Sequence, residues 1–409
     1  MSTDFDRLGE PFRFDYESAV LRYDPEGLGD LGAELTAHDC ERALVVCGET
    51  VGSTPAVMDP IRRGLDTHLT ELFARTTPEK RLGTAIDAYR AFTESSADSI
   101  VAVGGGSSLD LAKVTAVLVA SDASPAEIGA EFAETGSISV PESGLPPIVA
   151  VPTTLAGADL TQVAGLTADP ATCPVESPVS GGISARGLMP AAVWYDPSLI
   201  ATTPETVLAG SAMNGFDKGI ETLYASTATP VTDATASRGL DLLQRGLLAL
   251  GSADSETNSD EWVYQALTQG IMLVQYGISR PAVTTLSLIH AFGHGLTRTY
   301  PVQQGAAHGV VAPHVLRYLF DAVDGRRELL ADALGVGDAD DSAEAVVGAV
   351  KEVAGALSLP TRLRDVDGPE QSEFPAVARA ILDDVFVRNA PNGLDPTQAD
   401  IEAILEAAW

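Results

Sequence analysis

Lysine is nearly absent from this sequence. Its 409 residues contain only Lys80, Lys113, Lys218 and Lys351, and 25 Lys and Arg stand against 57 Asp and Glu, for a net charge of −32. A surface this acidic repels a phosphate backbone, which excludes a nucleic-acid binder. Cysteine is as scarce. Cys40, Cys47 and Cys173 are odd in number and lack CxxC spacing, so they read as small buried hydrophobes in a reducing compartment rather than as a disulfide framework. No stretch reaches the roughly 18 uninterrupted apolar residues of a membrane span. The opening MSTDFDRLGEPF has neither the cationic start nor the apolar run of a signal peptide. Long charge blocks are missing too, and with 45% hydrophobic residues the chain is not a disordered acidic protein. An acidic, lysine-poor surface stays hydrated in concentrated salt, where its self-repulsion is screened. The composition therefore points to a halophilic, archaeal, cytoplasmic protein.

The length suits two domains, each able to bury a full core. The most informative stretch is Val101 to Lys113, VAVGGGSSLDLAK. Ser99 to Val103 is short, apolar and β-branched, as a central parallel strand covered on both faces would be. Gly104, Gly105 and Gly106 follow, and glycine lets a backbone approach an anion closely. The helix start after them offers free N–H groups and a positive dipole end. Ser107 and Ser108 add hydroxyls, and Asp110 and Lys113 share one helix face. The pattern is neither GxGxxG nor a Walker loop.

The string GGGSSLDLAK as a whole resembles the GGGSxxDxAK signature of the iron-containing, or group III, alcohol dehydrogenases, relatives of glycerol dehydrogenase and dehydroquinate synthase. That resemblance implies an α/β N-terminal dinucleotide-binding domain plus an all-α C-terminal domain of the dehydroquinate synthase-like kind. VWYDP at Val193 to Pro197 matches the family's passage between them, giving residues 1–198 and 199–409. It also implies that Gly104, Gly105, Gly106 and Ser107 hold the pyrophosphate of a nicotinamide cofactor, with Asp110 near the nicotinamide end. Thr153 and Thr154, after the strand Pro147 to Val151, match the family's cofactor-contacting PTT segment, although Leu155 to Asp159 departs from the glycines, serine and glutamate that usually follow. At the end of the first parallel strand, Arg42 to Cys47, Gly48 stands where the family often has a ribose-binding acid. Loss of that acid admits NADP; Glu49 opposes its phosphate. The balance favours NADP slightly over NAD.

Around this frame, residues up to Tyr23 read as an edge hairpin or strand, and Pro78 to Asp98 as an amphipathic crossover helix. After Pro204, helical periodicities run over Ala209–Ser226, Asp233–Leu250, Asp260–Tyr276, Thr284–Leu296 and His308–Phe320.

The family holds a divalent metal with one Asp and three His from the helical domain. Ile220-Glu221 sets the register of MNGFDKGIETLYAS, placing Asn214 at the Asp position and Lys218 at the first His position. The second metal histidine falls on His290, a further active-site histidine on His294, and the third metal histidine on Gln304. An ammonium beside a divalent ion is severely repelled, so no catalytic iron or zinc is expected. Asp217 faces another side of the helix from Lys218 and is a poor substitute ligand. A set of His290, His294 and His308 is the alternative metal site. His314 and surface His38 read as structural.

A lysine can stabilise a developing alkoxide by charge and can donate the proton. Lys218 is assigned that task, with Asn214 and Gln304 as hydrogen-bond donors to substrate and His290 and His294 for substrate binding and proton relay. The maleylacetate reductases resemble the family while lacking parts of its metal set. The expectation is a metal-independent NAD(P)-dependent oxidoreductase interconverting a carbonyl, a keto acid or other anionic compound among the candidates, and an alcohol, in a cleft between domains. A small-molecule substrate and a homo-oligomer such as a dimer are expected, with no nucleic acid and no membrane. The competing readings are a metal-dependent dehydrogenase with the rearranged histidines and a non-catalytic dinucleotide-binding protein. Synthase chemistry like that of dehydroquinate synthase is disfavoured because it also uses a metal.

Overall fold

A computed structural model describes residues 11–16, 19–173, 175–252 and 261–409. Residues 1–10, on which most of the signal-peptide reading rests, lie outside the described residues. The chain forms two compact units, Tyr16–Thr203 and Pro204–Trp409, the latter joined by residues 11–15. The change of unit thus falls a few residues beyond the expected 198. Residues 11–15 also belong with the helices rather than with the α/β part, and the Arg280 guanidinium lies 5.3 Å from the Phe14 ring.

Among the described residues the first unit contains eight strands: β1 (Val20–Tyr23), β2 (Ala43–Gly48), β3 (Leu69–Thr76), β4 (Ser99–Gly104), β5 (Ile148–Pro152), β6 (Val163–Ala168), β7 (Val179–Ser184) and β8 (Ala192–Tyr195). Six of them form a parallel sheet in the order β1-β8-β5-β4-β2-β3. β6 and β7 pair separately as an antiparallel ribbon. Its helices are α1 (Leu31–Ala37), α2 (Glu49–Ser53), α3 (Pro55–Leu65), α4 (Leu82–Glu94), α5 (Gly106–Ala120), α6 (Pro125–Thr135) and α7 (Pro197–Ile200). β4 is buried along its whole length, as its apolar β-branched run requires. On one face of the sheet Val45, Val101, Val103, Val149 and Trp194 pack with Leu31 and Leu35 of α1 and Met58 and Ile61 of α3. β1 is a parallel edge strand on β8, in register Val20 to Ala192, and forms no hairpin. The crossover helix is shorter than Pro78 to Asp98, because Lys80 and Ser96 take positive φ just outside its two ends.

Strand order decides where a ligand fits. From β2 the chain steps to β3 on one side and then to β4 on the other, so the direction of winding reverses between β2 and β4. The crevice at the carboxyl ends of two such strands is the binding position of open α/β sheets. Gly48 and Gly104 end those two strands.

The second unit is built from α8 (Glu205–Tyr224), α9 (Pro230–Ser252), α10 (Glu261–Gln275), α11 (Leu288–Thr297), α12 (Gln304–Ala322), α13 (Arg327–Ala333), α14 (Ser342–Ala356), α15 (Phe374–Leu382) and α16 (Gln398–Ala407). α11 starts four residues later than the expected Thr284, because Thr284 pairs with Ser279 in a two-residue ladder. The expected helix from Asp260 begins at a residue outside the described ones. No helix among the described residues is long and apolar enough to cross a membrane.

Candidate active site

An anion cradle lies in the α/β unit. Gly104 closes β4 at φ +132°, which disfavours any residue with a Cβ, and Gly105 leads α5 as its N-cap. A Cβ on Gly105 would meet Thr154 Cγ2 at 3.1 Å, tighter than ordinary contact, so the cradle packs closely on the threonine turn after β5. Thr153 is buried and its N–H donates to Gly104 O at 3.1 Å. Thr203 Oγ1 donates to Thr153 O at 2.5 Å, and the Ser108 and Thr76 hydroxyls lie 2.8 Å apart. These bonds fix the backbone while the amides of Gly106 and Ser107, in the first turn of α5, lack intrahelical acceptors. The arrangement fits the pyrophosphate of a dinucleotide. Gly48 is the N-cap of α2 and Glu49 is exposed in that helix's first turn.

Two further groups brace the cradle. Lys113 is fully buried, and its ammonium reaches Thr161 Oγ1 at 2.6 Å, Thr161 O at 2.8 Å, Val163 O at 3.1 Å and Ala158 O at 3.3 Å. Burial pushes it down to about 8, against the opposing pull of Asp110 and Asp159. The buried Tyr195 hydroxyl donates to Asp159. Segment 155–159, where the sequence departs from its family, is therefore anchored by residues of its own. Asp110 is not free for the nicotinamide end in the way the resemblance implied: its Oδ2 accepts from Lys80 Nζ at 2.5 Å and from Gly165 N at 3.1 Å.

A cluster of ionisable side chains lies within the helical unit, where α8 and α11 meet. Glu221 engages His290, which stands in the first turn of α11, twice: the backbone N donates to one carboxyl oxygen at 3.0 Å, and the ring nitrogen Nδ1 lies 2.6 Å from the other. The carboxylate thereby caps the positive end of α11. His290 Nε2 lies 3.0 Å from Asn214 Oδ1. That acceptor places a proton on Nε2, so Nδ1 is the accepting nitrogen and Glu221 supplies the proton between them. Burial pushes the Glu221 carboxyl up to about 7, which allows this. The bond to His290 occupies the Asn214 amide oxygen and so fixes the side chain, while its Nδ2 group is the part that donates. The His308 ring meets His290 edge-on, with centroids 4.6 Å apart, and its Nδ1 is 3.4 Å from Asp217 Oδ2.

Asp217, set aside in the sequence as a poor ligand, is fully buried against His308, and neither of its oxygens has a hydrogen-bond partner among the described residues. Burial, then the neighbouring Glu221, hold its carboxyl well above the usual range. His290 lies well below the ordinary histidine value because it is buried and close to His308 and Lys218. Burial brings His308 down to about 3. Both rings are therefore uncharged at neutral pH. Lys218 is buried on α8 and its charge is felt at both rings. Gln304 opens α12, and its Cγ lies beside Gly293, as does His308 Nε2. His294 turns elsewhere. Its Nδ1 is 2.9 Å from Asp384, which also takes Arg298 at 3.0 Å. Although burial raises the Asp384 carboxyl, the bonds from His294 and from Phe386 N and the nearby Arg298 guanidinium bring it below its usual value. His290 and His294 share a helix and flank Phe386, at 6.4 and 5.1 Å between centroids, but have different partners.

The pH dependence of stability follows from these shifts. Asp217 and Glu221 keep protons in the fold at pH values where the unfolded chain has lost them. Their contribution is present below about pH 4 and is lost as pH rises, through about 7 for Glu221. The histidines run oppositely, contributing above about 6.5 and losing that contribution as pH falls. Asp217→Asn keeps the shape and removes one acid. It should raise the melting temperature in high-salt calorimetry at pH 7 and change it little at pH 4. A larger loss at pH 7 than at pH 4 would mean that Asp217 is ionised and paired in the fold.

Comparison with known proteins adds a family. A model described as iron-containing alcohol dehydrogenase matches residues 19–197, and one described as the Fe-containing alcohol dehydrogenase family, C-terminal, matches residues 208–409. The chain belongs to the iron-containing alcohol dehydrogenase family. It is thus an oxidoreductase of the alcohol–carbonyl class. Maleylacetate reductase of Pseudomonas knackmussii is 26% identical over 400 residues, 96% of each chain. The 1,3-propanediol dehydrogenase of Citrobacter freundii is 28% identical over 91% of this chain and 93% of its own. A crystal structure of 1,3-propanediol oxidoreductase superposes with a TM-score of 0.82 at 25% identity, covering 97% of this chain and all of the other.

The family name implies iron. The positions assigned to its ligands carry Asn214, Lys218, His290 and Gln304, of which one is a cation and another is bonded to His290. Among the described residues no three His, Cys, Asp or Glu side chains are arranged to hold a metal ion, and His294 is directed to Asp384 rather than joining His290 and His308. This donor set does not fit an iron-family site.

Proposed function

We propose that this chain is a metal-independent, NAD(P)-dependent oxidoreductase that interconverts an alcohol and a carbonyl compound carrying a carboxylate. The observation that carries the reading is the buried Lys218 beside two uncharged histidines, at the position the family gives to a metal ligand. When bound, the dinucleotide donates or accepts the hydride. The amides of Gly106 and Ser107, with Thr153 and Thr154, would hold its pyrophosphate. Gly48 leaves room for a 2′-phosphate that Glu49 opposes, so NADP is favoured over NAD by a small margin.

In the reducing direction the carbonyl oxygen gains negative charge. A buried, preorganised ammonium stabilises that charge and can hand it a proton. The Lys218 proton would be restored through the Glu221–His290 couple, whose shared proton spans 2.6 Å. The anionic substrate is supported by the cationic centre and by the activity for which the maleylacetate reductase relative is named.

Reduction of maleylacetate with NADPH and with NADH, followed by loss of nicotinamide absorbance in high salt, tests the reading. Turnover is expected with both cofactors. Tight dinucleotide binding without hydride transfer to this or any other carbonyl would instead favour a non-catalytic binding protein.

A further inference from the structure

Arg280 is a buried cation without an acid. It is 6% exposed, and no carboxylate of the described residues lies within 4 Å of it, in a chain that carries 57 Asp and Glu. A guanidinium has five N–H donors and keeps its proton at any ordinary pH. Nη2 donates to Thr227 O at 2.9 Å, and the side chain makes no other hydrogen bond among the described residues. Nε is shut off from solvent and has no acceptor there. One face is covered by the Phe14 ring, whose centre lies 5.3 Å away. An unbalanced charge in such a place costs much free energy.

Three features hold the guanidinium where it is. Arg280 and Val283 pair across the two-residue turn Pro281-Ala282, in which Ala282 takes φ +61°, a conformation that a residue with a Cβ keeps only where its surroundings enforce it. Thr227 Oγ1 donates to Thr284 O at 2.7 Å, so the carbonyl that receives Arg280 is tied to the same ladder. Gly277, at φ +85°, leaves the space in which the end of the Phe14 ring sits, and a Cβ there would meet its Cζ at 3.0 Å. All of these residues belong to the helical unit or to residues 11–15 that join it. Burial lowers the Arg280 guanidinium from its ordinary value, and no charged side chain offsets that. A single isolated positive charge is balanced by a single negative one. A phosphate monoester or a dicarboxylate would bring a second charge that nothing here pairs.

We propose that Arg280 binds one monovalent inorganic anion, chloride where chloride is the salt, through the N–H groups that Thr227 leaves free. The site belongs to the helical unit alone and does not depend on the reading of the reaction. The net charge of −32 repels an anion at low salt. Screening removes that repulsion as salt rises, since the Debye length falls from about 10 Å at 0.1 M to about 3 Å at 1 M. The site therefore fills in concentrated salt and adds to the stability of the fold there.

Urea unfolding reads the site, because urea brings no anion of its own. With sodium and ionic strength held constant and gluconate exchanged for chloride, the folding equilibrium constant of the wild-type protein should rise about tenfold for each tenfold rise in chloride once the site is filled. Arg280→Met, which keeps an unbranched stem and removes the charge, should show none of that rise. Bromide is the same kind of anion and scatters X-rays anomalously. Wild-type crystals grown in bromide should therefore show a peak within hydrogen-bond reach of the Arg280 guanidinium, a result that needs no variant to fold. Absence of that peak, or an equal chloride dependence in the two proteins, would overturn the proposal. So would a bromide peak that an acidic carbonyl compound displaces, with chloride raising KM for that compound at unchanged kcat, because the anion at Arg280 would then be a substrate carboxylate.

Discussion

Lys218→Ala is expected to lower kcat by about 10²–10³-fold, the effect of removing one preorganised oxyanion donor, while dinucleotide affinity changes by less than about twofold. The two effects separate because the cradle at Gly104 to Ser107 belongs to the α/β unit and Lys218 to α8. Lys218→Arg keeps the charge but replaces a compact ammonium with a planar fork, so it should recover only part of the rate. Added ethylamine, supplying an ammonium of similar size to the vacated space, should raise the turnover of Lys218→Ala and leave Lys218→Arg unaffected. Steady-state kinetics in high salt together with fluorescence titration of NADPH read all three. Unchanged turnover in Lys218→Ala would remove the lysine from the chemistry, since His290 and His308 are neutral and cannot supply its charge.

Lys113→Met should cost the α/β unit about 3–5 kcal/mol, because it strips a buried charge partner and leaves carbonyl oxygens without their donor. For a unit of this size that is a fall in melting temperature of roughly 10 °C. The oxygens concerned belong to Ala158, Thr161 and Val163, which follow the threonine turn directly, so NADPH affinity should fall as well. Calorimetry and dinucleotide titration on the same preparation check both. A variant as stable as the parent would show that this loop is held by other means, such as the Tyr195–Asp159 bond.

The elements that proved legible were those in which local pattern and burial agree. β4 announces itself by an unbroken β-branched run ending in three glycines, and the helices after Pro204 by periodicity. β3 went unnoticed because LTELFART alternates polar with apolar residues and is only partly buried. The β6–β7 ribbon was missed because its second strand, VSGGIS, is short, rich in glycine and serine, and mostly exposed. In the site, residue types were easier to foresee than partnerships. Glu221 sets only a register in the sequence, yet it engages both the backbone N and the ring of His290 from 69 residues away. Helical spacing separated Asp217 from Lys218 correctly but could not reveal that the face it occupies looks onto His308. Lys80 carried one signal, its rarity, and the bond by which it occupies Asp110 depends on a turn clamped to a ribbon the sequence concealed.

The central claim, that a lysine does what a metal does elsewhere in this family, is tested most directly by one preparation measured twice. Metal content is determined by mass spectrometry on protein purified in high salt, and NADPH-dependent carbonyl reduction is followed before and after exhaustive chelation. The account predicts sub-stoichiometric metal and turnover that survives chelation. One metal per chain with turnover abolished by the chelator and restored by a divalent ion would contradict it.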